Sequence, residues 1–203
     1  MKIKLTQSEL KRQRDALRQY ERYLPTLQLK KQQLQLEIVH QQSILRGKEK
    51  SLSERKKSAE SWSGLLVEAP KIRQWLIPGK IITSKKNIAG VDVTVFEQAD
   101  FNPAEYDLFL IPLWVDTGLE LLRDMISLQE EIRVTEKGIS VLQHELRITT
   151  QRVNLFEKIK IPGAKEAIRV IKIYIGDQMT NAVGRSKIVK NKIEEANSEE
   201  MVM

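Results

Sequence analysis

Apolar residues recur in seven-residue steps along two long stretches of this chain, one toward each end. In the first, the steps pass through Leu10, Leu17, Leu24, Lys31, Ile38, Leu45 and Leu52, and Tyr20, Leu27 and Leu34 follow three of them by three residues. In the second they pass through Met125, Ile132, Ile139, Leu146 and Val153, interleaved with Leu121, Leu128, Leu142 and Phe156, while Thr135 and Thr149 weaken the stripe. Two turns of helix take about seven residues, so such a step keeps one face turned to one neighbour. Each stretch therefore calls for a helical partner. A non-helical segment between them must return the chain, so the simplest pairing is antiparallel, with facing residue numbers totalling about 180. The predicted fold is mainly α: a long antiparallel two-helix coiled coil with a short middle segment that contains a β-hairpin.

Local chemistry places the helix ends. Thr6 with Glu9, and Thr117 with Glu120, match the capping box that satisfies free N–H groups at a helix start. The expected divisions are an N-terminal helix over 6–62, a middle segment over 63–116, a C-terminal helix over 117–192 and a frayed polar tail over 193–203. At 1.5 Å per residue, helices of fifty to sixty residues make a rod of roughly 75–90 Å. Pro25 and Pro162 each interrupt a helix, removing a backbone hydrogen bond and favouring a bend at one level of the rod.

The middle segment has a different period. From Lys80 to Glu97, β-branched residues dominate, and Val91, Val93 and Val95 alternate with Asp92, Thr94 and Phe96, as in a half-buried hairpin. Lys85, Lys86 and Asn87 supply a polar turn, and Gly90 suits a bulge. A lone two-stranded hairpin is marginal in water, so it needs the helices or a second protein to cover its apolar face. Ile88, Val91, Val93 and Val95 are the candidates for that face. Pro70 begins a short helical turn with Ile72, Trp75 and Leu76, ended by Pro78 and Gly79, and Trp62 and Trp114 flank the same region. These large side chains make either a small core or an exposed patch for a partner.

Composition fits a thin helical object: of 203 residues, 5% are aromatic and 30% charged. The longest apolar run, Leu108 to Val115 with Pro112 inside it, is far short of the roughly 20 residues that span a bilayer, so direct membrane insertion is not expected. The absence of cysteine excludes disulfides and thiolate metal sites and is consistent with a reducing compartment. The net charge of +7 is concentrated in the first sixty residues. Lys11, Arg12, Arg14 and Arg18 suit an acidic or phosphate partner, and they equally suit the solvated face of a coiled coil. No aromatic residues interleave with them to stack bases, and no zinc-finger or RNA-recognition spacing accompanies them, so nucleic acid is not an expected partner.

No catalytic, cofactor or metal site assembles from the residue types. His40 and His144 each fall two residues past a stripe position, on the outer face, with only Glu37 and Glu145 near them. Pro78-Gly79-Lys80 superficially resembles a phosphate loop but lacks a glycine at Gln74, and Ile81 stands where Ser or Thr is required. Adjacent carboxylates such as Glu130 and Glu131 point to different helix faces and cannot form a close acid/base pair. The expectation is a noncatalytic protein with no cofactor.

One passage in the second helix carries a recognisable signature: Thr150-Gln151-Arg152-Val153-Asn154-Leu155-Phe156-Glu157, then Ile161-Pro162 and Ile168. It resembles that of the D subunit of V/A-type rotary ATPases, the central rotor shaft. Leu24 to Lys31, Asn87-Ile88-Ala89-Gly90-Val91 and Arg185-Ser186-Lys187-Ile188 agree with the same family, so the resemblance covers nearly the whole chain. The signature residues are Arg152, Val153, Asn154, Glu157, Ile161 and Pro162.

The resemblance implies a noncatalytic subunit turning inside a hexamer of A and B subunits, which couples ATP synthesis or hydrolysis there to proton or sodium movement through a membrane rotor. It implies contact of the hairpin with the F subunit, of the middle-segment end with the funnel-shaped subunit on the membrane rotor ring, and of the end bearing both termini with the hexamer, through Lys11, Arg12, Arg14, Arg185 and Lys187. It also implies a peripheral location on the cytoplasmic side of a membrane. Periodicity alone equally admits a nonrotary coiled-coil adaptor or chaperone whose hairpin grips a client.

Overall fold

A computed structural model describes residues 4–68, 70–107 and 111–200. Its elements are α1 (Gln7–Glu60), 3-10 turns at Ser63–Val67 and Pro70–Leu76, β1 (Pro78–Ile88), β2 (Val91–Phe101), α2 (Trp114–Leu155), a π turn at Phe156–Lys160, and α3 (Ile161–Glu200). The architecture is mainly α, a helical hairpin with a two-stranded antiparallel hairpin in its middle segment. The chain divides into two units: one takes the chain up to Gln28 with the chain from Gln151, the other takes Leu29–Thr150.

In the unit Leu29–Thr150, the heptad stripes meet. Leu34, Ile38 and Leu142 are buried together with Val93 of β2, and Ile88, Ala89, Val91 and Leu146 pack against them. The pairing is antiparallel, because Lys30, Lys48 and Arg55 on α1 pair in turn with Glu145, Glu131 and Asp124 on α2, the second number falling as the first rises. Facing numbers total close to the expected 180. Leu29, Leu36 and Val39, off the stripe, are exposed as the period requires. Leu121 departs from it: assigned to the stripe, it is 47% exposed.

In the other unit, Leu10, Val153, Ala164, Ala167 and Ile171 are buried. Small alanines on α3 suit close approach of two helices. The Tyr20 and Phe156 rings meet at a tilt with 5.3 Å between centroids, and Glu21 pairs with Lys165 at 3.4 Å. From Gly176 to Glu194 every residue is exposed, including Met179, Val183, Val189 and Ile193. The helix continues to Glu200, through most of the tail expected to fray, and residues 201–203 lie outside those described.

The two predicted caps fare differently. The backbone N–H of Glu9 donates to the Thr6 Oγ1 at 3.3 Å, which caps α1. Thr117 does not cap α2. That helix begins three residues earlier, at Trp114, and the N–H of Val115 bonds the Pro112 carbonyl at 3.0 Å. Burial decides the start, because Val115 and Leu119 enclose a small core with Ile72, and a helix that began at Thr117 would leave Val115 outside its first turn.

The expected interruption at Pro162 takes the form of a wide turn: the N–H of Ile161 reaches the carbonyl of Phe156, five residues back instead of four. A proline ring in a continuing helix collides with the carbonyl four residues before it, and widening the preceding turn moves that carbonyl aside. Pro25, by contrast, is carried inside α1.

The hairpin is longer than expected, and its turn lies elsewhere. Lys85, Lys86 and Asn87 are not the turn: they belong to β1 and pair with Thr94, Val93 and Asp92. The reversal is the two-residue turn Ala89–Gly90, with φ of 50° and 77°. Two positive φ values match the twist of the flanking strands, and glycine accepts one of them without strain. Asn87 locks the turn, its Oδ1 accepting from the Gly90 N–H at 3.1 Å and its Nδ2 donating to Asp92 at 2.7 Å. Gly90 is therefore a turn residue. The register shifts fall between Pro78 and Lys80 and between Ile82 and Thr83.

Candidate functional site

The two units each expose a distinct surface. His40 and His144 are both exposed, and among the described residues no group of three or more His, Cys, Asp or Glu could hold a metal ion. Among the described residues no helix is long and apolar enough to cross a membrane.

The hairpin sits on the helices through its valine face. Ile88, Val91 and Val93 turn inward onto Leu34, Ile38 and Leu142, and Val95, at 39% exposure, is the one of the four candidates with substantial open surface. Seating depends on Gly138 of α2. A Cβ there would lie 2.8 Å from Val93 Cγ1 and 3.7 Å from the Thr94 carbonyl oxygen, so the strand rests on bare helix backbone. Sequence reading missed Gly138, whose signal was a glycine at mid-helix with no capping role. A cleft beside this seat is edged by Gln41, Lys48, Lys86, Glu131 and Thr135. Lys48 pairs with Glu131 at 3.0 Å and donates to Thr135 Oγ1 at 3.4 Å.

The rest of the middle segment is organised around α2. Ile72, Val115 and Leu119 form its core, flanked by Trp75, Leu76, Tyr106, Ile111 and Trp114, so the large side chains noted in the sequence are core in the main. Trp62 and Trp114 lie 6.5 Å apart, and Gly118 leaves room for the Trp114 ring, which a Cβ there would meet at 2.9 Å. Two polar side chains of α2 tie the loops down. The Tyr106 hydroxyl donates to Asp116, and that bond, with burial and the Asp116 charge adding to it, raises the phenol pKa above its ordinary value. Arg123 donates to the carbonyl of Trp75 through Nε at 3.2 Å and Nη2 at 3.1 Å, to that of Asn102 through Nη2 at 2.7 Å, and stands 5.3 Å over the Phe101 ring. Around this core Val67 and Leu113 are 83% and 94% exposed, with Ile77 also open.

The unit that holds the chain up to Gln28 and from Gln151 has the other open surface. It contains seventeen lysines and arginines against ten acids, whereas Leu29–Thr150 contains seventeen of each, so the whole net charge of +7 belongs to the first unit. Lys11, Arg12, Arg14, Arg185 and Lys187 are all exposed there. Arg12 lies 3.6 Å from Glu9 and Arg185 donates to the Asn181 carbonyl at 3.3 Å, both contacts within a helical turn. On α3 Arg169 holds Glu166 in a two-pronged pair at 2.7 and 2.9 Å, which lowers the Glu166 pKa and raises that of Arg169.

The signature residues separate by face. Val153 is buried and Ile161 half-buried, while Arg152, Asn154, Glu157 and Pro162 are exposed. Among the described residues the side chains of Arg152, Asn154 and Glu157 make no hydrogen bond or ion pair within the chain, so they do not tie α2 to α1.

Comparison with known proteins agrees over most of the chain. The family model described as the ATP synthase D subunit matches residues 9–191. A V-type ATP synthase D subunit of Borreliella burgdorferi is 43% identical over 192 residues, 95% of either chain. Proteins of the same name from Chlamydia trachomatis serovar L2 and Chlamydia pneumoniae are 30% and 28% identical, covering 95% and 96% of this chain and 97% and 94% of theirs.

Proposed function

The chain belongs to the ATP synthase D subunit family, and on that premise we propose that it is the noncatalytic central-stalk rotor subunit of a V/A-type ATP synthase. It transmits torque between ATP synthesis or hydrolysis in the A/B hexamer and proton or sodium translocation through the membrane rotor. It works on the cytoplasmic side of a membrane, as a peripheral part of the complex.

The observation that carries this reading is the segregation of charge and exposure. All of the net +7 lies in the unit bearing both ends of the chain, and there α3 runs on through exposed residues from Gly176 to Glu194. A rotor needs many weak, screened contacts around its circumference, each worth roughly 0–1 kcal/mol, in place of one deep apolar dock that would fix its angle. Lys11, Arg12, Arg14, Arg185 and Lys187 offer such contacts to acidic loops of the A and B subunits. Arg152, Asn154 and Glu157, without side-chain partners among the described residues, extend the same surface.

The hairpin receives the F subunit. Ile88, Val91 and Val93 give it a firm seat on the helices, and Val95 with the outer strand surface meets the partner. The funnel-shaped subunit on the membrane rotor ring takes the other end of the middle segment, where Val67, Ile77 and Leu113 offer apolar side chains that this chain leaves uncovered.

The test is assembly. The purified chain is mixed with A/B hexamer and F subunit, and stoichiometry is read by native mass spectrometry beside ATP turnover. One copy per hexamer with altered turnover is the expected result. Failure to join, under conditions where an established shaft subunit joins, returns the nonrotary adaptor or chaperone to first place.

A further inference from the structure

We propose that Arg123 is the positioning residue of the ring-side end: it sets the geometry of the two loop segments that meet the funnel-shaped subunit, without touching that partner itself. The inference rests on the functional reading above.

Arg123 lies on α2, and its guanidinium reaches two separate pieces of the middle segment. It takes the Trp75 carbonyl, at the end of the 3-10 turn Pro70–Leu76, through two N–H groups and the Asn102 carbonyl, just past β2, through one. Phe101 stacks beneath it at 5.3 Å. Trp75 in turn meets the Tyr106 ring at a tilt, 4.9 Å between centroids, and Tyr106 is bonded to Asp116, two turns before Arg123 on α2. One α2 side chain thus holds the chain on both sides of the hairpin, at Trp75 before β1 and at Asn102 after β2. Ile77 is two residues from one anchored carbonyl.

Arginine suits this task because a planar fork fixes the direction of each acceptor as well as its distance. A lysine at the site keeps the charge and reaches one carbonyl, but it cannot hold two carbonyls and stack on a ring together. Hydrogen bonds to a charged donor are each worth more than a tenfold factor in an equilibrium. Their loss releases the segments into several arrangements, of which one fits the partner.

The experiment uses the full chain in complex with F, titrated against the purified funnel-shaped subunit, with hexamer incorporation measured in parallel. Arg123→Ala is expected to weaken funnel binding roughly tenfold or more while hexamer incorporation stays at the wild-type level. Arg123→Lys, which keeps the charge and tests the fork if the alanine variant does not fold, is expected to fall between the two. A purely structural role would depress hexamer incorporation in step with funnel affinity and would overturn the proposal. So would wild-type funnel affinity in either variant. The double variant Val67→Asp with Leu113→Asp separates the premise: if it binds the funnel subunit normally, the assignment of the ring-side patch fails, and the Arg123 result still decides the role of the anchor.

Discussion

Val93 Cγ1 lies 2.8 Å from the point at which Gly138 would carry a Cβ. One glycine on α2 thereby admits a strand to the surface of the helix pair, and the buried Val93 closes the core over Leu34, Ile38 and Leu142. Gly138→Ala gains about 1 kcal/mol of helix propensity, yet it forces apart a stiff β-branched side chain and a helix, which costs about 1–3 kcal/mol. The expected outcome is a net loss of stability in denaturant unfolding, and Gly138→Ala combined with Val93→Ala is expected to lose less than the two single losses summed. Strict additivity of the two changes would show that the hairpin does not rest on Gly138.

Helix α1 supplies a pair of controls. Thr6→Ala removes the Oγ1 that accepts the Glu9 N–H, and is expected to cost about 1 kcal/mol and speed amide exchange of the first turn. Gly47 sits in α1 with open space around it, so Gly47→Ala is expected to add about 1 kcal/mol and raise the unfolding midpoint.

Alkaline titration reports the Tyr106–Asp116 contact. The folded pKa of Tyr106 is raised, chiefly by the bond to Asp116, so the stabilisation is complete below the unfolded value of about 10 and is lost as pH climbs through the higher folded value. Absorbance of phenolate, taken as the difference between the wild type and Tyr106→Phe, is expected to show a late-titrating tyrosine. Asp116→Asn is expected to bring that titration earlier.

Charge reversal at Lys11, Arg12 and Arg14 tests the basic end against the hexamer. Steered association depends on ionic strength, with a screening length of about 10 Å at 0.1 M salt. The triple glutamate variant is expected to join the A/B hexamer roughly tenfold more slowly at low salt, and the difference is expected to shrink as salt is added. Equal rates at low salt would remove these residues from the interface.

The heptad stripe made much of the core legible. Leu34, Ile38, Ile132, Ile139, Leu142 and Val153 fall on the stripe by spacing alone and all are buried. Spacing misleads at Leu121, where the period continues but no neighbour covers the side chain. The hairpin is visible in its β-branched residues, yet polarity is a poor marker of its turn and points to Lys85–Asn87. The real determinant is backbone twist, which requires two positive φ values, and Ala89 bears one of them while packing against the core. At the start of α2 a good capping sequence lost to the burial of Val115.

By itself, the sequence determined the features that repetition and local stereochemistry dictate: two long apolar stripes, their antiparallel pairing, a β segment between them, the Thr6 cap, the obstruction at Pro162 and the excess of positive charge. Apart from the pairing, which follows from the need to return the chain, and the net charge, which is a sum over all residues, each of these is a property of residues within a few turns of one another. The tertiary structure decided the features that depend on residues distant in sequence meeting in space. It decided that Gly138 is the seat of Val93, that Arg123 gathers the carbonyls of Trp75 and Asn102, and that the whole net charge falls to one unit. No local pattern encodes these, because the free energy of a close approach or a shared donor exists only once both partners are in place.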